Sequence, residues 1–286
     1  MALSGDGSQA NPWVAQNYTD LRTAYNNLAT SGGTKYLEID RDINCNDYGD
    51  SFEWNTLSVG GNQNRAMIFD LKTHTIKNIK VASGNTIFSF AGSSQSIIKN
   101  GKILNIFTAN AKGFNDNIGG IYTCSKLQNM SVSINITGST DNIFDVALDS
   151  CAIYVEGSTD HRIFELAYNV SKNCINTDIK LDVNHCSNIF SGSDNVVSKC
   201  RIRGKANVPS GGAICSNYPV LEDCVVDLET NAAYISEYLN GSASGVINSD
   251  KYSGNLQGMT AVSSTEIING AALRGKNFVV VNVVGG

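Results

Sequence analysis

The residues of this chain that could do chemistry are 8 cysteines, 3 histidines and 26 carboxylates. Cysteines held zinc-fashion would stand as C-x-x-C or in Cys/His knuckles, because a tetrahedral site needs closely spaced ligands, and neither spacing occurs. The opening Met1-Ala-Leu-Ser-Gly-Asp-Gly7 has neither the basic nor the apolar region of a secretory leader. The chain is therefore expected to be made in a reducing compartment, with its cysteines left as thiols. His161 and His185 lie in polar links beside Asp160 and Cys186 and read as surface residues, while His74 reads as packed or at a corner. Gly5-Asp6-Gly7 is a flexible opening, since no Lys-Ser/Thr follows to make a phosphate loop. No catalytic, cofactor-binding or metal-ligating residue is singled out, and no cofactor is expected.

What the cysteines do have is rhythm. Cys151, Cys174, Cys200 and Cys224 are separated by 23, 26 and 24 residues. Three of them share a context of apolar residue, two polar residues, Cys, any residue, apolar residue: Leu148 to Ile153, Val197 to Ile202, Leu221 to Val226. The template continues towards the N-terminus with Met130, Gly101 and His74 in the cysteine slot, at a mean period of 25. Around Cys174 the flanking apolar residues, Val170 and Ile175, fall one place early, which reads as a bulge. A second apolar strand precedes each template at Ile87-Phe88, Ile121-Tyr122, Ile143-Phe144, Ile163-Phe164, Ile189-Phe190 and Ile214-Cys215. A third often follows, as in Ser133–Thr137 and Asp178–Val183.

Self-similarity at this period signals a repeat architecture. Helical repeats are longer, and leucine-rich repeats need a dense leucine frame and a helical return that are absent here. Two or three β-branched strands per repeat, punctuated by Asn/Gly/Ser links, predict an all-β fold: a right-handed parallel β-helix of about seven to eight coils. Coils stacked about 4.8 Å apart would give a rod on the order of 35–40 Å long, with like residues in ladders. Composition agrees. Gly, Asn and Ser make 91 of 286 residues, charged residues only 16%, and Pro 3, as interior strands that need every N–H require. A net charge of -5 excludes the basic face of a nucleic-acid binder. No run approaches the ~18 apolar residues of a membrane span.

Open solenoid ends need covers. Residues 1–33 are read as an N-terminal arm and capping helix, with Thr19 as N-cap and Leu21, Ala24, Tyr25 and Leu28 on its buried face. Residues 34–235 are the β-helix, and 236–286 a C-terminal cap, with a capping box at Ser263–Glu266, a short helix to about Leu273 and a closing strand over Phe278–Val284. The whole is one continuous domain.

Carboxylates on neighbouring coils of one face would stand about 5 Å apart, the spacing of a retaining glycosidase pair. Counting from each cysteine tests this. Five places on lie Glu156, Ile179, Lys205 and Glu229; four on, Val155, Asp178, Gly204 and Leu228; three on, Tyr154, Thr177, Arg203 and Asp227. No column so aligned holds two adjacent carboxylates, which leaves only links carrying Asp160, Glu165, Asp182 or Asp194 to assemble a pair. Aromatic residues outside the core slots, Trp13, Trp54, Tyr154, Tyr168, Tyr218, Tyr238 and Tyr252, are those able to stack on sugar rings.

The chain resembles the pectin-lyase-like right-handed β-helix family. The marks are Gly5-Asp-Gly-Ser8, Asn11-Pro12-Trp13 and Asp20-Leu21, then Tyr36–Asp40, Asp42-Ile43 and Phe69–Ile79. Thr265-Glu266, Asn269, Leu273 and Phe278 are similar to the tail of bacterial and phage β-helix modules. Within that family it looks most like a virion protein of a tailed bacteriophage, a tail fibre, tailspike or head fibre. The resemblance implies a structural and adsorption role in the virion, a homotrimer, and as partners other virion proteins and host surface polysaccharide. A polysaccharide-degrading tailspike and a bacterial surface adhesin are the alternatives.

Overall fold

A computed structural model describes residues 3–59, 65–90, 95–108, 112–115, 117–118, 121–122, 125–137, 142–166, 172–192, 195–216, 220–237 and 243–268. The chain winds as a parallel β-solenoid in which every coil lays its strands on those of the coil before. Among the described residues a 17-stranded sheet carries two columns of strands and an 8-stranded sheet a third. The first column points Leu37, Phe69, Ile98, Leu127, Leu148, Cys174, Val197 and Leu221 inward as one ladder. The second stacks Ile43, Ile76, Ile103, Val132, Ile153, Ile179, Ile202, Val226 and Ile247. Branched residues suit these positions because side chains of like shape nest at the inter-strand spacing. All of these residues are buried.

In the third column the ladder is aromatic. Phe88, Phe114, Phe144, Phe164 and Phe190 stand one above another, with ring centroids 6.0, 5.4, 5.1 and 5.0 Å apart and planes within 19°. These are near-parallel stacks, each ring wholly buried. The expected rung at Ile121-Tyr122 is corrected here. Those residues pair antiparallel with Asn117–Ile118, and Phe114 fills the rung instead. The signal there was misleading because a link of this coil carries its own apolar pair.

Between the first and second columns the backbone turns through one residue in the left-handed region: Asn100, Asn129, Ser150, Asn176, Lys199 and Asp223, all with φ between 50° and 59°. Short polar residues tolerate that conformation, and five of the six are of that kind. The residue after each corner is the ladder slot, which corrects one alignment. Asn176 is the corner of its coil, so its slot holds Thr177, and Cys174 lies in the first-column ladder between Leu148 and Val197. The coil is not bulged at Cys174; its cysteine belongs to a different ladder. Cys151 and Cys200 do share one buried line, with Thr177 between them: Thr177 Oγ1 accepts from Cys151 N, and Thr177 O from Arg201 N.

The seven described cysteines are free thiols. Cys174 Sγ touches Cys200 Sγ at 3.7 Å. Burial pushes the Cys151 and Cys186 thiols up to about 12, so they pack as neutral small hydrophobes.

At the N-terminal end Trp13–Ala15 pairs in parallel with Leu37–Ile39. The helix Tyr18–Ser31 lies over the coil end, burying Tyr18, Leu21, Ala24, Tyr25 and Leu28, and stops at Gly32 with φ 66°. Its N-cap is Asn17, whose side chain accepts from Asp20 N, and not Thr19. At the other end Ser263 and Glu266 form the expected box: Ser263 N donates to Glu266 Oε2 at 2.7 Å and Glu266 N to Ser263 Oγ at 3.3 Å. A helix follows over Ser264–Ile268. The expected continuation to Leu273 and the strand Phe278–Val284 lie outside the described residues, as do Asn269, Val170, Tyr168, Tyr218, Tyr238 and Asp194.

Phe164 has a ring on either side, so Phe164→Ala should leave a cavity that the stack cannot close. Destabilisation of about 3–5 kcal/mol is expected, read as a lowered urea midpoint with an unchanged slope.

Candidate functional site: an outward face of paired charges and rings

Alternation along each strand sends every second residue of the second column outward. Two parallel rows result, each running from coil to coil. One holds Tyr154, Lys180, Arg203 and Asp227 in direct register, and the other Phe107, Asn135, Glu156, Asp182, Lys205 and Glu229. Because Thr177 is the slot of its coil, five places on is Asp182, and Ile179 belongs to the buried ladder. The inference that no column holds adjacent carboxylates is therefore overturned: Glu156 and Asp182 are direct partners on neighbouring coils. At the inter-strand spacing of about 4.8 Å their backbones sit near the separation of a retaining pair.

The two carboxylates have different surroundings. Tyr154 Oη donates to Glu156 Oε2 at 2.7 Å, and Asn135 Nδ2 donates to Glu156 Oε1. The two donors hold the carboxylate in place, one on each oxygen. Asp182 is exposed and makes no ion pair or side-chain hydrogen bond among the described residues. Lys180 Nζ lies 4.9 Å from the centroid of the Tyr154 ring, a cation–π contact. Burial, then the hydrogen bond to Glu156 and the charges of Glu156 and Asp182, push the Tyr154 phenol up to about 12.

The remaining charges neutralise one another. Arg203 grips nearly buried Asp178 bidentately at 3.0 and 3.0 Å, which raises its own pKa further. Asp227 receives Lys251 Nζ at 2.8 Å and Asn248 Nδ2 at 2.7 Å. Lys205 approaches Glu229 at 3.5 Å, an exposed pair of little energetic weight. Asp182 is left as the acidic group open to a ligand, with Glu156 fixed beside it.

Of the aromatic residues expected to meet sugars, Trp13, Trp54 and Tyr252 are buried, and Trp54 Nε1 donates to Ile87 O at 3.0 Å inside the core. Tyr154 does lie on the outward face. The ring that sequence reasoning missed is Phe107, which is 44% exposed beside Asn135 in the glutamate row. Its alternation with buried Ile106 and Thr108 was the available signal. His161 is exposed, His185 makes a long contact of 3.6 Å with Asp160 at the surface, and His74 holds a corner slot 3.4 Å from Asp42.

The geometry defines a parallel β-solenoid protein with an ordered outward face. In a comparison with solved structures, the chain is similar to a "putative immunoglobulin A1 protease" from Bacteroides ovatus, with a TM-score of 0.53, 16% identity, and 96% of this chain and 90% of that chain covered. At that identity the likeness bears on the fold alone. No protein-family model matches the chain, and no curated protein matches it. Among the described residues no helix is long and apolar enough to cross a membrane.

Burial first and Glu156 second hold up the Tyr154 pKa, so Glu156→Gln should bring the phenol only part of the way back toward the ordinary 10, seen as earlier tyrosinate absorbance in an alkaline titration. Tyr154→Phe should remove the same late component. In the native protein the folded state keeps this proton longer than the unfolded state does, so this group's contribution to stability falls as pH rises from 10 to about 12.

Proposed function

We propose that the protein is a rigid attachment rod, a structural and adsorption component that holds a surface polysaccharide against the outward face of its second strand column. The observation that carries this is the row Phe107, Asn135, Glu156, Asp182 and Lys205, in which an exposed ring stands in line with hydrogen-bonding and charged groups. Sugars are recognised by an apolar platform for the ring face and fixed polar groups for the hydroxyls. Strands hydrogen-bonded on both sides cannot shift to evade a ligand, so little ordering entropy is lost on binding. We place the rod in a bacteriophage particle, as a fibre or spike-like homotrimer contacting other virion proteins. That placement rests on the resemblance of the C-terminal residues Thr265-Glu266, Asn269, Leu273 and Phe278 to the tail of bacterial and phage β-helix modules.

Calorimetry against purified capsular and wall polysaccharides tests the binding. Phe107→Ala should weaken it roughly tenfold, about 1.4 kcal/mol, with the fold intact. Failure of the native protein to bind any such polymer would overturn the proposal. Mass spectrometry of purified particles tests the placement.

Glu156 beside Asp182 favours a second reading, in which the same face cleaves the glycan it holds. Incubation with a bound polysaccharide should then shorten it, and Glu156→Gln or Asp182→Asn should slow this by roughly 10²-fold or more. Unchanged chain length under the native protein rules out cleavage and leaves binding.

A further inference from the structure

The third strand column carries a second pair of adjacent carboxylates. Phe144 and Phe164 are register partners, so the residues that follow them, Asp145 and Glu165, stand on neighbouring coils facing away from the aromatic stack. Outward residues of a solenoid are normally wet, but Asp145 is 3% exposed. Lys172, 27 residues further on, is wholly buried over it, with Nζ 2.7 Å from Asp145 Oδ1 and 3.3 Å from Asp145 O. The neighbours Val146, Leu166 and Ser191 are also fully buried. Glu165 is largely covered, and Arg162 Nη1 reaches its Oε2 at 2.7 Å. Burial, reinforced by Asp145, raises the Glu165 carboxyl above its usual range against the pull of Arg162 and Lys172.

A buried ammonium and carboxylate lose several kcal/mol of hydration each, so the contact is costly to keep as an ion pair. A second carboxyl, that of Glu165, stands one strand away. From this geometry we infer that Lys172 and Asp145 become joined by an amide bond, with Glu165 as the proton carrier. Lys172 passes one proton to Asp145 Oδ1, its freed Nζ attacks Asp145 Cγ, and the N–C bond forms. Glu165 gives its proton to the departing hydroxyl and takes one from the nitrogen, the Cγ–O bond breaks, and one water leaves. No atom changes oxidation state and Glu165 is regenerated. Holding the reacting groups in contact replaces the activation that amide formation needs in water. The bond would close one full coil covalently, tying the third strand column to the segment that leads into Cys174-Ile175 of the next coil. It is independent of whether the outward face binds glycan.

Mass spectrometry of the full chain, followed by proteolysis, decides the matter. The expected result is a mass lower by one water than the sequence requires, and a branched peptide joining positions 145 and 172. Lys172→Ala should restore the full mass. Glu165→Gln should also carry the full mass while its far-UV circular dichroism stays that of the folded native chain. A native chain of full mass that yields unmodified peptides containing Lys172 and Asp145 would overturn the inference, whatever the variants do. Cross-linking in Glu165→Gln to the native extent would remove Glu165 from the chemistry.

Discussion

The parallel hydrogen bonding of each coil to the one beneath is the constraint from which everything else in this molecule follows. It places equivalent residues about 4.8 Å apart along the axis and leaves each side chain two lateral neighbours of the same column. Inside, that distance suits a phenylalanine ring laid on another, and the third column closes from 6.0 to 5.0 Å as it runs from Phe88 to Phe190. Outside, it fixes charge beside charge, so that each acidic residue must either be offered a partner or remain available. Asp178 is gripped by Arg203 and Asp227 by Lys251, while Asp182 stays open next to Glu156.

The left-handed corner is the second determinant, because it marks where the ladder slot begins. Asn100 Nδ2 donates to Asp70 Oδ2, and Asn129 Nδ2 to Asn100 Oδ1, so the corner side chains knit successive coils as the backbone does. Asn44, Asn78 and Asn105 form a second such line within the second column. The high asparagine content thus has two physical sources. One is tolerance of positive φ; the other is an amide able to donate to the coil beneath and accept from the coil above.

The same stacking makes buried charge possible at the third column. An outward residue there is covered by the chain that follows, and Lys172 enters that covered space to meet Asp145. The proposed amide would tie this interior coil covalently where the following chain closes over it. The Phe107 face and the Lys172 site lie on different strand columns, so the proposed ligand contact and the proposed coil closure make separate demands on the sequence.

Much of the fold was legible in the linear order of residues. The period, the Ile/Val ladder, the aromatic pairs of the third column and the buried face of the first helix all follow from local pattern, because a solenoid converts spacing along the chain directly into stacking. The site was not legible to the same degree. The turn from Gly101 to Met130 is longer than that from Met130 to Cys151, so counting residues cannot say which side chains share a rung. A cysteine belonging to the first ladder looked like a member of the second, and that slip of three places hid Asp182 from Glu156. Only hydrogen-bonded register put the two carboxylates side by side and brought a lysine 27 residues away onto Asp145, since those contacts depend on how coils of unequal length close.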